Sequence, residues 1–185
     1  GGGKSLCFQL PALELPGLTL VISPLIALMK DQVDALQANG VAAEFINSSL
    51  APADINRIQA TAKSGKLKIL YIAPERLASR DFRDYLQSLQ VSLIAIDEAH
   101  CISEWGHDFR PEYRNLRELR KLFPQVPLIA LTATATSKVR DDIITQLKLQ
   151  KAKVFVSGFN RPNLHLKVIE KKGAYSKLVN LLKKY

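Results

Sequence analysis

Cysteine is nearly absent from this chain, with Cys7 and Cys101 the only two. Two distant cysteines exclude a disulfide framework and cannot complete a four-ligand zinc site. No apolar run approaches the roughly 20 residues of a membrane helix. No charged leader precedes a cleavage site. These absences predict a soluble, intracellular protein. Acidic residues are missing from one end: residues 151–185 carry nine Lys and Arg against one acid, Glu170, whereas residues 1–150 carry 17 against 16. The net charge of +9 is therefore a property of the tail. A solvated face explains it as well as affinity for nucleic acid does. Repeats and low-complexity segments are also missing. What remains is 185 residues, 47% hydrophobic, enough for one domain with a sizeable core.

Within that chain, short apolar runs alternate with helical patterns. The runs are Leu18–Ser23, Ala42–Asn47, Lys68–Ala73, Ser92–Asp97, Leu128–Ala133 and Lys153–Gly158. They are continuously apolar, as strands buried on both faces are. Helices are expected over Pro24–Ala38, Pro52–Gly65, Arg80–Leu89, Glu112–Leu122 and Ser137–Leu147, the first two opening on Pro and ending near Gly. The alternation predicts an α/β fold, a mostly parallel sheet with helices on both faces. Ligands of such sheets bind beyond the carboxyl ends of the strands. After Gly158, "FNRPNL" reads as a turn, followed by a strand-like "LHLKVIE" and an amphipathic "YSKLVNLLKKY".

Two motifs carry chemistry. "GGGKS", Gly1, Gly2, Gly3, Lys4 and Ser5, is the second half of a phosphate-binding loop. Glycines let backbone N–H groups approach phosphate oxygens, and the next helix N-terminus adds a favourable dipole. Lys4 is expected on the β- and γ-phosphates and the Ser5 hydroxyl on Mg²⁺. "IAIDEAH" ends an apolar strand in Asp97 and Glu98. Asp97 is expected to hold Mg²⁺ and Glu98 to polarise the attacking water. Alone, a Gly-rich turn or an acidic strand end is unremarkable; together, on one edge of a parallel sheet, they describe an ATP site with Lys4, Asp97, Glu98 and His100 as its catalytic set.

With "DEAH" and "LTATAT" (Leu131–Thr136), the chain resembles a superfamily-two helicase. "SPLIALMKDQV", "APERL", "DEAHCISEWGHDFRPEYRNL" and "FNRPNL" narrow the resemblance to the RecQ family of DNA helicases, over essentially the whole chain. The resemblance implies a RecA-like P-loop domain, dependence on ATP and Mg²⁺, and three-prime to five-prime unwinding of DNA in repair and recombination. It implies single-stranded and duplex DNA as partners, and a cytoplasmic location, nucleoid-associated if bacterial. Residues 1–158 are then the first motor domain, lacking its N-terminal part. Residues 159–185 are the hinge, braced by Asn160 and Arg161, and the truncated start of a second RecA-like domain.

In that family the loop after "DEAH" is aromatic-rich and senses single-stranded DNA. Trp105, Phe109 and Tyr113 offer faces for bases, and Arg110 and Arg114 suit phosphates. His107 belongs to the same loop. One of the three aromatics is expected to be structural. Ser23, Lys30 and Arg76 are candidate DNA-backbone contacts, although a helix cap, a solvated Lys and a local ion pair explain them too. Thr132 and Thr134 are expected to link the ATP site to the DNA path. His100, Cys101, His107 and Asp108 are metal-ligand types, but their spacing fits no standard zinc pattern. An RNA helicase of the same superfamily and a non-catalytic binding module are the alternative readings.

Overall fold

A computed structural model describes residues 3–149, 151–157, 163–164, 168 and 171–183. The chain divides into two units, Gly1–Ala152 and Lys153–Tyr185. In the first, five parallel strands form one sheet: β1 (Leu18–Ile22), β2 (Ala43–Ile46), β3 (Ile69–Ile72), β4 (Val91–Ile96) and β5 (Leu128–Ala130), in the order β2-β3-β1-β4-β5. Their register sets Ile22 opposite both Ile72 and Ile96. All five strands therefore end at the same edge.

The helices are α1 (Leu6–Glu14), α2 (Ile26–Ala38), α3 (Pro52–Lys63), α4 (Arg80–Gln87), α5 (Leu116–Leu122) and α6 (Ser137–Gln146). Local chemistry sets several boundaries. Pro52 opens α3, with Asp54 in its first turn and Lys63 in its last, matching the helix dipole. Ser79 caps α4 by accepting from Phe82 N, and Thr136 caps α6 by accepting from Val139 N.

Side chains alternate across the sheet and build two cores. Leu20 and Ile22 pack with Ile58 of α3, Leu86 of α4, Leu119 of α5 and Ile143 of α6. Val21, Tyr71 and Ala95 pack on the other face with Phe8 of α1 and Met29 and Val33 of α2. Helices thus cover both faces, as the continuous apolar runs require.

Three expectations need correction. Residues 153–157 form no strand, and Phe155 stands 89% exposed. A strand needs a neighbour to take its backbone hydrogen bonds, whatever its composition. The strand predicted to reach Ala133 stops at Ala130, because the Thr132 side chain bonds the Thr134 backbone and draws it away from the ladder. The helix predicted from Glu112 begins as a 3₁₀ turn, Pro111–Asn115, before α5. In the second unit a helix, α7 (Ala174–Leu182), follows Gly173. Gly158, the expected hinge residues Asn160 and Arg161, and most of "LHLKVIE" lie outside the described residues.

Candidate active site

The site is assembled on the carboxyl edge of the sheet and the turn before α1. Gly3 takes a left-handed φ of +70° and its carbonyl accepts from Leu6 N at 3.0 Å, starting α1. The Ser5 hydroxyl makes no capping bond. Among the described residues, the amides of Lys4 and Ser5 have no acceptor. The turn thus presents an ammonium, a hydroxyl and open N–H groups, the donor set an anionic phosphate needs. Gly1 and Gly2 lie outside the described residues.

Asp97 sits where β4 ends, its N–H donating to Ile22 O at 2.9 Å. Burial raises the Asp97 carboxyl above its usual range; the Glu98 amide donating to Oδ1 at 3.0 Å and the nearby Lys4 charge oppose that shift. Glu98 adopts φ 46°, ψ 46°. A left-handed conformation costs a non-glycine residue about 1–2 kcal/mol. This turn redirects the chain so that Ala99 N donates to Leu131 O at 2.8 Å and a 3₁₀ segment, Ala99–Ile102, follows.

His100 connects the acids to the next strand. Its Nδ1 lies 2.8 Å from Thr132 Oγ1 and 3.2 Å from Glu98 Oε2. The Thr132 hydroxyl donates to Thr134 O and accepts from Thr134 N, both at 3.2 Å. With its one proton directed at Thr134, Thr132 accepts from His100, which assigns the proton to Nδ1. Burial lowers the His100 pKa, although the Glu98 charge opposes it, so the imidazole is neutral at neutral pH. Asp97, Glu98, His100, Thr132 and Thr134 therefore form one connected chain.

The aromatic loop grows from the same 3₁₀ segment. Ser103 Oγ accepts from Trp105 N at 3.2 Å, and Arg110 N returns to Cys101 O at 2.9 Å. Gly106 closes the turn; a Cβ there would lie 2.7 Å from His100 O. His107 stacks on His100, ring centroids 4.7 Å apart. Arg110 pairs with Asp108 at 3.2 Å and donates to Pro24 O at 3.1 Å, tying the loop to the end of β1. Arg114 pairs with Glu104 and lies 5.3 Å from the Phe109 ring centroid. Trp105 is 65% exposed, with Lys138 Nζ of α6 3.1 Å from its ring centroid.

Tyr113 corrects the sequence reading. It is fully buried and its hydroxyl donates to Asp97 O at 3.0 Å, so it offers no face to a base. It is the structural aromatic of the three, a strut between the loop and the acidic strand tip. Ser23 is likewise buried, 1% exposed, its hydroxyl without a partner. Lys30 pairs with Asp34 at 2.6 Å on an exposed helix face. Arg76 lies over the Phe82 ring, 5.0 Å from its centroid. A cleft of about 350 Å³ opens at the ends of the strands, lined by Pro24, Ser48, Pro74, Glu75 and Arg110 among others. Sequence reasoning missed Ser103, Gly106 and Lys138. Only Gly106 had a signal, a glycine between Trp105 and His107 in a loop. Lys138 is distant in sequence and meets Trp105 only through the fold.

A Gly-Lys-Ser turn facing a strand that ends in Asp-Glu, with a His–Thr link to the next strand on a parallel sheet, is the layout of a P-loop domain. The model of the DEAD/DEAH box helicase family matches residues 1–143, and the chain belongs to that family. It is 52% identical, over 92% of its length, to the ATP-dependent DNA helicase RecQ of Pasteurella multocida. It is 54% identical over the same share to that of Bacillus subtilis, and 45% identical to the rat ATP-dependent DNA helicase Q1. The chain spans 27%, 29% and 29% of these relatives' lengths. In fold it is similar to the Hef helicase domain of Pyrococcus furiosus (TM-score 0.58, 20% identity, covering 79% of this chain and 31% of that one). It is also similar to a hypothetical ATP-dependent RNA helicase from Sulfolobus tokodaii (TM-score 0.60, 20% identity, covering 81% and 44%). Among the described residues no helix is long and apolar enough to cross a membrane.

Proposed function

We propose that this chain is the ATP-binding half of a RecQ-type motor that unwinds DNA three-prime to five-prime, and that the loop from Trp105 to Arg114 reports bound single-stranded DNA to the ATP site. The observation that carries this reading is the shared root of site and loop: Glu98, His100 and Cys101 lie within one turn, and both His107 and Arg110 N return to it. Movement of the loop therefore acts on His100 directly, and through the Thr132–Thr134 link on the end of β5.

Lys4 and the open amides bind the phosphates, and Glu98 orients and deprotonates the water. Ser5 and Asp97 fit Mg²⁺: one is a hydroxyl unused in capping, the other a half-buried carboxylate facing Lys4, both the oxygen donors that ion prefers. When bound, the ion neutralises charge developing on the transferred phosphoryl. A second RecA-like domain, beginning beyond a hinge at Asn160 and Arg161, supplies the arginine that completes catalysis, an effect worth about 10³–10⁵ in rate in comparable enzymes. Exposed Trp105, partly exposed Phe109 and the arginines beside them form the DNA surface. Ser23 and Tyr113, both buried, do not.

The test is ATP hydrolysis by the parent protein with no nucleic acid, with single-stranded DNA, and with single-stranded RNA. Stimulation by DNA alone is expected. Stimulation by RNA instead would move the chain to the RNA-helicase branch, and absence of turnover would leave a nucleotide-binding module.

A further inference from the structure

We propose that His100 Nε2, Cys101 Sγ and Asp108 Oδ2 form a binding site for a soft divalent cation such as Zn²⁺. Sequence spacing argues against a metal here, since two adjacent residues and a third seven positions on match no standard pattern. Tertiary structure reverses that judgement. The 3₁₀ turn sets the ring and sulfur of neighbouring residues side by side, with His100 Nε2 3.8 Å from Cys101 Sγ. The loop's return at Arg110 brings Asp108 Oδ2 to 3.7 Å from the same sulfur. All three ligand atoms lie within 4.8 Å of one another. Ligands around a tetrahedral zinc, bound at about 2.0–2.3 Å, sit roughly 3.3–3.8 Å apart, a spacing that the two distances to Cys101 Sγ meet.

Orientation strengthens the case. Thr132 and Glu98 hold His100 by Nδ1, leaving the Nε2 lone pair on the side of Cys101. Arg110 donates to the ligand oxygen itself, Asp108 Oδ2, through Nη2 at 3.2 Å and Nε at 3.4 Å, and fixes the carboxylate in place. Metal-ligating histidines and carboxylates are typically steadied by such outer partners. One nitrogen, one sulfur and one oxygen select Zn²⁺ or Co²⁺ over Mg²⁺ or Ca²⁺. The buried sulfur and imidazole form the floor, and half-exposed Asp108 is the entrance. On coordination the thiol loses its proton to solvent, thiolate and carboxylate balance the two positive charges, and water takes the fourth position. The ion would tie the Trp105 loop to the turn that carries His100. That consequence rests on the DNA-sensing reading, whereas cation binding does not.

The test is Co²⁺ titration of the full chain, followed by thiolate-to-cobalt charge-transfer absorption and the visible bands of a tetrahedral ion. One equivalent is expected to develop both. Cys7→Ala, which removes the exposed cysteine, should leave them unchanged, and Cys101→Ala should abolish them. Asp108→Asn alters a half-exposed residue and should retain the fold, which circular dichroism checks. It should weaken Co²⁺ at least about tenfold, the smaller end of what even outer-partner changes cost. The proposal is overturned by an absent band, by a band that survives Cys101→Ala or vanishes with Cys7→Ala, or by unchanged affinity in Asp108→Asn. Should Cys101→Ala not fold, Asp108→Asn and Cys7→Ala decide.

Discussion

Replacing Tyr113 with phenylalanine separates two roles that the sequence leaves joined. A residue that stacks on DNA bases tolerates the change, because the ring face is unaltered. A buried strut does not, because its hydroxyl is the working atom. The hydroxyl donates to Asp97 O at 3.0 Å from a ring with no exposure. Removing it strands a backbone acceptor at the tip of β4, a cost of about 1–2 kcal/mol. At a urea dependence of about 2–3 kcal/mol per molar for a chain of this size, the unfolding midpoint falls by roughly 0.5 M. Tyr113→Ala adds the loss of the ring and should cost about 3–5 kcal/mol. Urea unfolding followed by circular dichroism reads both, and single-stranded DNA affinity of folded Tyr113→Phe should match the parent's. An unchanged midpoint in Tyr113→Phe would refute the strut.

Glu98→Gln should retain ATP binding in the parent protein while hydrolysis falls at least about 10²-fold, the usual range for a lost general base; steady-state turnover and nucleotide titration check it. Asp97→Asn should stabilise the fold at neutral pH while abolishing turnover. Burial raises the Asp97 pKa, so the folded state disfavours the ionised form and stability is lost as pH rises from the unfolded value, about 3.9, through the raised folded one. The gain, read by urea unfolding, should therefore shrink as pH falls through the carboxylate range. Gly106→Ala should cost about 1–3 kcal/mol, because a Cβ meets His100 O at 2.7 Å, and unfolding midpoints report it. Trp105→Ala should weaken single-stranded DNA binding by the worth of one stacked base, about 1–3 kcal/mol, in fluorescence-anisotropy titrations of the parent protein.

Local information was enough for the sheet. The apolar runs of β1, β3 and β4 are buried on both faces, and a run of that kind has few other uses. It was also enough to single out Lys4, Ser5, Asp97 and Glu98 as candidates, because short motifs carry phosphate and carboxylate chemistry within one turn of chain. It failed for Lys153–Gly158, an apolar run whose described residues form no strand, since pairing depends on a neighbour and not on composition.

Which of the loop residues are exposed was decided by the fold alone. Trp105, Phe109 and Tyr113 are equivalent as letters; packing exposes the first and buries the last against Asp97 O. Lys138 reaches Trp105 across 33 residues only because α6 docks beside the 3₁₀ turn. His100, Cys101 and Asp108 converge because the chain doubles back at Gly106, where only a residue without a Cβ fits. Sequence determines which groups are available and how each segment prefers to run. Which groups meet, and which are withdrawn from solvent, follows from long-range packing, whose energy resides in contacts between residues remote in the chain.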